Sequence, residues 1–117
     1  MTNRGTIIMS TFPSEESVAD IGGKLVAGRL CACVNFTKIR SIYAWRGKIE
    51  DQTEFVALFK TTARSAEKLK AEIARLHPYD VPEIVELRMD DVSKSYLSWL
   101  VESTDGVAKK RHYAAKR

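Results

Sequence analysis

Two long runs rich in β-branched and aromatic residues, joined at a single dipeptide, constrain this chain more than any other feature. Ala32 to Trp45 (ACVNFTKIRSIYAW) is the first run, and Arg46-Gly47 marks a tight turn. The second run ends in Phe55-Val-Ala-Leu-Phe-Lys60. Runs of this composition around a short turn predict a β-hairpin with long arms.

The segments on either side say how the hairpin is framed. Thr6 to Thr11 (TIIMST) reads as a first strand. Ser14 then stands before Glu15 and Glu16, a cap residue followed by acids in the positive first turn of a helix. Val18, Ile21, Leu25 and Val26 recur at helical spacing, and the stripe runs on to Leu30. Gly22, Gly23 and Gly28 oppose that helix by about 1 kcal/mol each, but small residues also let a helix lie close to a sheet. After the hairpin, Ala63 to Leu76 places Ala66, Leu69, Ile73 and Leu76 on one stripe, and Pro78 stops the helix. Glu83 to Met89 reads as a fourth strand and Ser95 to Val101 as a short terminal helix. The order β-α-β-β-α-β predicts an α+β, ferredoxin-like sandwich: four antiparallel strands, with both main helices on one face and a short C-terminal helix. At 117 residues the chain fits one domain, taken as 1–107, with a flexible basic tail over 108–117.

A sheet covered on one side should alternate apolar and polar residues. Here Phe55, Ala57 and Phe59 fill one face of the third strand, while Val56 and Leu58 fill the other. Ile7 and Ile8 do the same in the first strand. Two helices cover one face only, so another copy of the chain is expected on the second, giving a homo-oligomer.

Composition excludes several classes. With 44% apolar and 29% charged residues the chain reads as globular, not disordered. No apolar run approaches the roughly 18 residues of a membrane span, and MTNRGTIIMSTF lacks the apolar core of a secretory signal. The net charge of +4 is local: positions 109–117 (KKRHYAAKR) hold five of the 19 basic residues, leaving 14 against 15 acids elsewhere. Nucleic acid is therefore an unexpected partner. RNA recognition on this element order needs stacking aromatics on the first and third strands, and TIIMST offers none. Cys31 and Cys33 lie two positions apart and read as reduced thiols, which predicts a cytoplasmic protein.

The segment LHPYDVPEIVEL, Leu76 to Leu87, concentrates the candidate chemistry. His77 and Glu83 are an imidazole and a carboxylate six residues apart across two prolines, a weak pair beside a set of four cysteines or three histidines. Two readings stand open. The pair holds a metal ion with help from water or a neighbouring subunit, or His77 sits on the last carbonyls of the preceding helix while Pro78 and Pro82 aim the fourth strand. Tyr43, Trp45, Tyr79 and Trp99 are either core and interface anchors or the walls of a small-ligand pocket between subunits. Lys60 either faces an anionic ligand or ends a strand in solvent. No residue set supplies an activated nucleophile, so no enzymatic reaction is expected, although His77, Glu83 and Tyr79 are types that serve acid/base catalysis.

The segments RLCACVNF, IRSIYAWRGKIED, FKTT, LHPYDVPEIVEL and SYLSWLVEST stand in an order and spacing that resemble the CutA family of divalent-cation-tolerance proteins, from about Thr6 to Thr104. The resemblance implies a tight homotrimer, its sheets packed edge to edge around a threefold axis with the long hairpin crossing the subunit boundary. It implies a role in the response to metal ions and, in some members, binding of Cu²⁺ or another divalent cation. In some members a thiol at the end of the first strand joins the histidine and glutamate of HPYxxPE as proposed ligands. Carried over, the last two are His77 and Glu83, while the thiol position falls near Ser10, where a hydroxyl is a poor copper ligand. Ser10 thereby joins Tyr43, Trp45, Lys60, Tyr79 and Trp99 as candidates for an inter-subunit cleft. The competing function is a trimeric small-ligand or signalling module of PII-like architecture with no metal role.

Overall fold

The computed structural model describes residues 4–104, so the expected domain limit at 107 and the basic tail of 108–117 lie outside the described residues. Strands are β1 (Gly5–Phe12), β2 (Cys33–Trp45), β3 (Lys48–Thr62) and β4 (Ile84–Arg88); helices are α1 (Glu15–Ala27), α2 (Ala63–Leu76) and α3 (Lys94–Thr104). The strands form one antiparallel sheet in the order β2-β3-β1-β4, the ferredoxin-like plan.

Local chemistry explains the boundaries. Ser14 caps α1, its hydroxyl accepting from the Ser17 N–H at 3.1 Å, and Glu15 and Glu16 occupy the first turn. The helix ends at Ala27, three residues before the stripe does. Arg29 adopts φ 64°, and the N–H groups of Arg29 and Leu30 close back on Val26 and Leu25, both at 3.0 Å. This left-handed cap satisfies the last carbonyls although no glycine holds the key position. Arg46 and Gly47 have φ 51° and 78°, and Trp45 pairs with Lys48. Both central residues in the left-handed region make a two-residue turn whose twist suits a hairpin.

Ile8 and Phe12 of β1, with Ala57 and Phe59 of β3, form the helix-facing side of the sheet. Val18, Ile21 and Leu25 of α1, and Ala66, Leu69 and Ile73 of α2, close over them into the main core. Gly22 is buried where α1 meets β2, and a Cβ there would stand 2.7 Å from Val34 Cγ1.

The chain itself covers part of the second face, which refines the expectation that another copy of the chain lies there. The chain's own α3 lies across one end: fully buried Leu100 stands against Gly5, and the Tyr96 hydroxyl is 3.9 Å from Cys33 Sγ. The Ser65 hydroxyl donates to the Thr104 carbonyl at 2.8 Å, tying the end of α3 to the start of α2. Beyond α3, Ile7, Met9, Val56 and Leu58 are half-buried, and Val85 and Leu87 are exposed.

Candidate functional site

The outer half of the hairpin overhangs the segment that links α2 to β4, and a cleft of about 840 Å³ opens between them. That volume is ample for a small organic ligand, for which pockets run roughly 300–1,000 Å³. Tyr43 and Trp45 of β2, Glu54 of β3, and Tyr79, Asp80 and Glu83 of the linking segment contribute to its walls.

Behind that wall sits His77, which caps the C-terminal end of α2. Its ring is not spent on the last helix carbonyls, as one sequence reading had it. It crosses to β1, where Nε2 lies 2.8 Å from the Thr11 carbonyl. Nδ1 accepts the Tyr79 N–H at 3.1 Å, so Nε2 carries the proton and donates to Thr11. The ring stacks on Phe12 with centroids 4.4 Å apart. Burial holds the His77 pKa below its ordinary value, against smaller upward pulls from the Thr11 carbonyl and Glu54.

Tyr79 connects this buried ring to the cleft. Its hydroxyl donates to Glu54 Oε2 at 2.7 Å, and burial, followed by the hydrogen bond and charge of Glu54, pushes the phenol well above the ordinary tyrosine range. Glu54 is only 7% exposed. Tyr43 is raised as well, by burial first and then by the charges of Glu54 and Glu50. Two guanidiniums also border the cleft. Arg40 is held bidentate by Asp51 at 2.8 and 2.6 Å, and Arg46 stands 5.6 Å over the Trp45 ring.

Of the cleft candidates read from the sequence, the structure thus brings together Tyr43, Trp45 and Tyr79, with Glu83 at the same walls. Ser10 is fully buried in β1, its hydroxyl without a hydrogen-bond partner among the described residues. Lys60 reaches Asn35, across the register pair formed with Cys33. Trp99 lies on α3 with its ring 5.5 Å from Tyr96. None of these three lines the cleft, and neither does His77. Glu54 was missed by sequence reasoning. The signal was present, since the alternation of β3 puts Glu54 on the face of Val56 and Leu58, an acid continuing an apolar row.

The donor set answers poorly to a metal ion. Both ring nitrogens of His77 are committed within the chain, and no group of three or more His, Cys, Asp or Glu side chains able to hold an ion occurs among the described residues. Cys31 is buried, and that burial, with Cys33 beside it, pushes its thiol up to about 12, away from the thiolate that soft metals require.

Comparison with known proteins settles the kinship. The family model described as CutA1 divalent ion tolerance protein matches residues 6–103. The chain belongs to the CutA1 divalent ion tolerance family. It is 44% identical over 97 residues to the divalent-cation tolerance protein CutA of Thermotoga maritima, covering 83% of this chain and 96% of the relative. It is similar to the crystal structure of CutA1 from Pyrococcus horikoshii, with a TM-score of 0.83 at 43% identity over 85% of this chain and 97% of that one. The structure described as the periplasmic divalent cation tolerance protein CutA from Archaeoglobus fulgidus superposes with a TM-score of 0.83 at 33% identity, over 86% and 98% of the two chains. Members of this family are named for divalent-cation tolerance and not for a reaction. No helix among the described residues is long and apolar enough to cross a membrane.

Proposed function

We propose that the chain serves divalent-cation tolerance as one subunit of a homotrimer, and that the response to ions belongs to the assembly and not to a ligand set within one subunit. The observation that carries this reading is the donor geometry at His77. An ion there would have to displace the Tyr79 N–H from Nδ1 or the proton that Nε2 gives to Thr11. Glu83, exposed at the cleft, is left without an imidazole partner toward Cu²⁺ or any other divalent cation, and it forms no ion-holding group with the other described carboxylates. The half-covered apolar face beyond α3 supports assembly, since an exposed row of this kind asks for a partner. Two free cysteines, one of them buried, fit a reducing compartment, and we place the protein in the cytoplasm on that ground. We assign it no reaction.

Light scattering with titration of Cu²⁺ and Zn²⁺ into wild type, His77→Ala and Glu83→Ala tests the reading. We expect a particle of three 13.2 kDa chains and no stoichiometric ion per subunit that depends on both side chains. A saturable ion lost in both variants while the trimer persists would make His77 and Glu83 ligands after all. A monomeric wild type would remove the assembly.

A further inference from the structure

Ion tolerance leaves the basic tail without a task. Positions 105–117, the tail and its lead-in, hold five Lys or Arg against one acid, whereas the rest of the chain holds 14 basic and 14 acidic residues. The match to the family stops at residue 103, so this charge lies beyond what the shared fold needs. The structure fixes where the segment starts. Thr104, the last residue of α3, gives its carbonyl to the Ser65 hydroxyl at 2.8 Å. Arg64, next to Ser65, and Lys68, one helical turn on, are both exposed, and neither takes part in an ion pair among the described residues. The Arg29 guanidinium donates to the Glu102 carbonyl at 2.6 Å, adding a third cation at the same end of α3. Against these stand Glu102 and Glu67, and Lys70 already holds Glu67 at 2.6 Å. Asp90 and Asp91 precede α3, a helix length of about 16 Å from its end.

Basic charge gathered at one place attracts a polyanion, and symmetry favours a flat one over a linear one. In the trimer proposed above, a threefold axis sets the three roots on one level. Thirteen residues span at most about 45 Å, comparable with the 50 Å long axis of the described subunit, so all three tails can meet one plane. A linear polymer crossing the axis cannot follow a threefold set of arms. The rest of the chain, balanced in charge and without aromatics in TIIMST on β1, offers nucleic acid nothing further. A bilayer with anionic headgroups presents such a plane, and each Lys or Arg held near one strengthens binding roughly fivefold. We propose that the basic tail, with Arg64 and Lys68 at its root, holds the trimer as a peripheral protein on an anionic bilayer. The proposal goes beyond ion tolerance and rests on the trimer for the number of arms.

The full chain in EDTA is mixed with vesicles of phosphatidylcholine, alone or with about one-third phosphatidylserine. Co-sedimentation reads binding and light scattering reads mass. Binding is expected to the phosphatidylserine vesicles only, falling about tenfold or more between roughly 50 and 300 mM KCl as the charges are screened. Lys109→Gln, Lys110→Gln and Arg111→Gln combined should keep the trimer and weaken binding about tenfold or more. Arg64→Gln with Lys68→Gln, at exposed helix positions, should weaken it about threefold or more. Equal binding to phosphatidylcholine alone, unaltered affinity in either variant, or no binding by folded wild type would each overturn the proposal. So would release from the charged vesicles by an equal charge of DNA duplex, which would assign the tail to nucleic acid. A monomeric wild type that still binds those vesicles would remove the trimer and retain the tail's role, so the two readings fail separately.

Discussion

His77 accepts a hydrogen bond at Nδ1 and donates one from Nε2, so the neutral ring is the form that satisfies both of its partners. Protonation would set a second N–H against the Tyr79 N–H and place a charge on a buried ring. The groups that bear on the ring agree in ranking: burial lowers its pKa most, and the Thr11 carbonyl and Glu54 raise it by less. The sign follows. The unfolded chain, with an ordinary histidine value of about 6.5, binds the proton more readily than the folded one. The stabilisation is therefore present above that value and is lost as pH falls through it toward the lower folded value. Urea midpoints of wild type should drop between pH 7.5 and pH 5.5, while His77→Gln should lose less over the same interval. Parallel losses in the two proteins would refute a role for this ring. The sequence could mark His77 as a residue at a helix end, but not which carbonyl it meets. Its partner Thr11 is 66 positions away and is brought near only when β1 joins the sheet.

At the scale of elements, the hairpin and α2 were legible because their patterns are local. Arg46-Gly47 turns the chain where expected, and α2 has the bounds its apolar stripe and Pro78 predict. The end of α1 was not legible, since an arginine takes the left-handed cap that glycine usually fills. The glycines of α1 divide by what they face. At Gly22 a Cβ would meet Val34 Cγ1 at 2.7 Å, whereas at Gly23 nothing lies within 4 Å. Gly23→Ala should therefore stabilise the fold by about 0.5–1 kcal/mol, through helix propensity and a less free unfolded chain. Gly22→Ala should destabilise it by about 1–3 kcal/mol, because the new methyl must push α1 off β2. Chemical denaturation of both variants checks the pair, and equal shifts of the same sign would show that α1 has room to move.

For the whole molecule, the question is what lies on the sheet face opposite α1 and α2. The two-faced apolar alternation of β1 and β3 was visible in the sequence, and it required a second cover. What it could not show is that α3 supplies part of that cover, since a helix of 11 residues can dock on either side of a sheet. The remainder falls to β4 and its neighbours: Val85 is 37% and Leu87 42% exposed, paired in register with Met9 and Ile7. The short edge strand β4 thus presents an apolar row to solvent in the lone subunit. Leu87→Lys separates the alternatives. If the row meets another copy, the buried charge would oppose assembly, and light scattering should show the mass falling toward one chain on dilution. If the row faces water, the same change at an exposed strand position should leave mass unaltered and shift stability by no more than about 0.5 kcal/mol. We expect the first outcome, because a lysine in place of leucine costs little in water and much between two packed sheets.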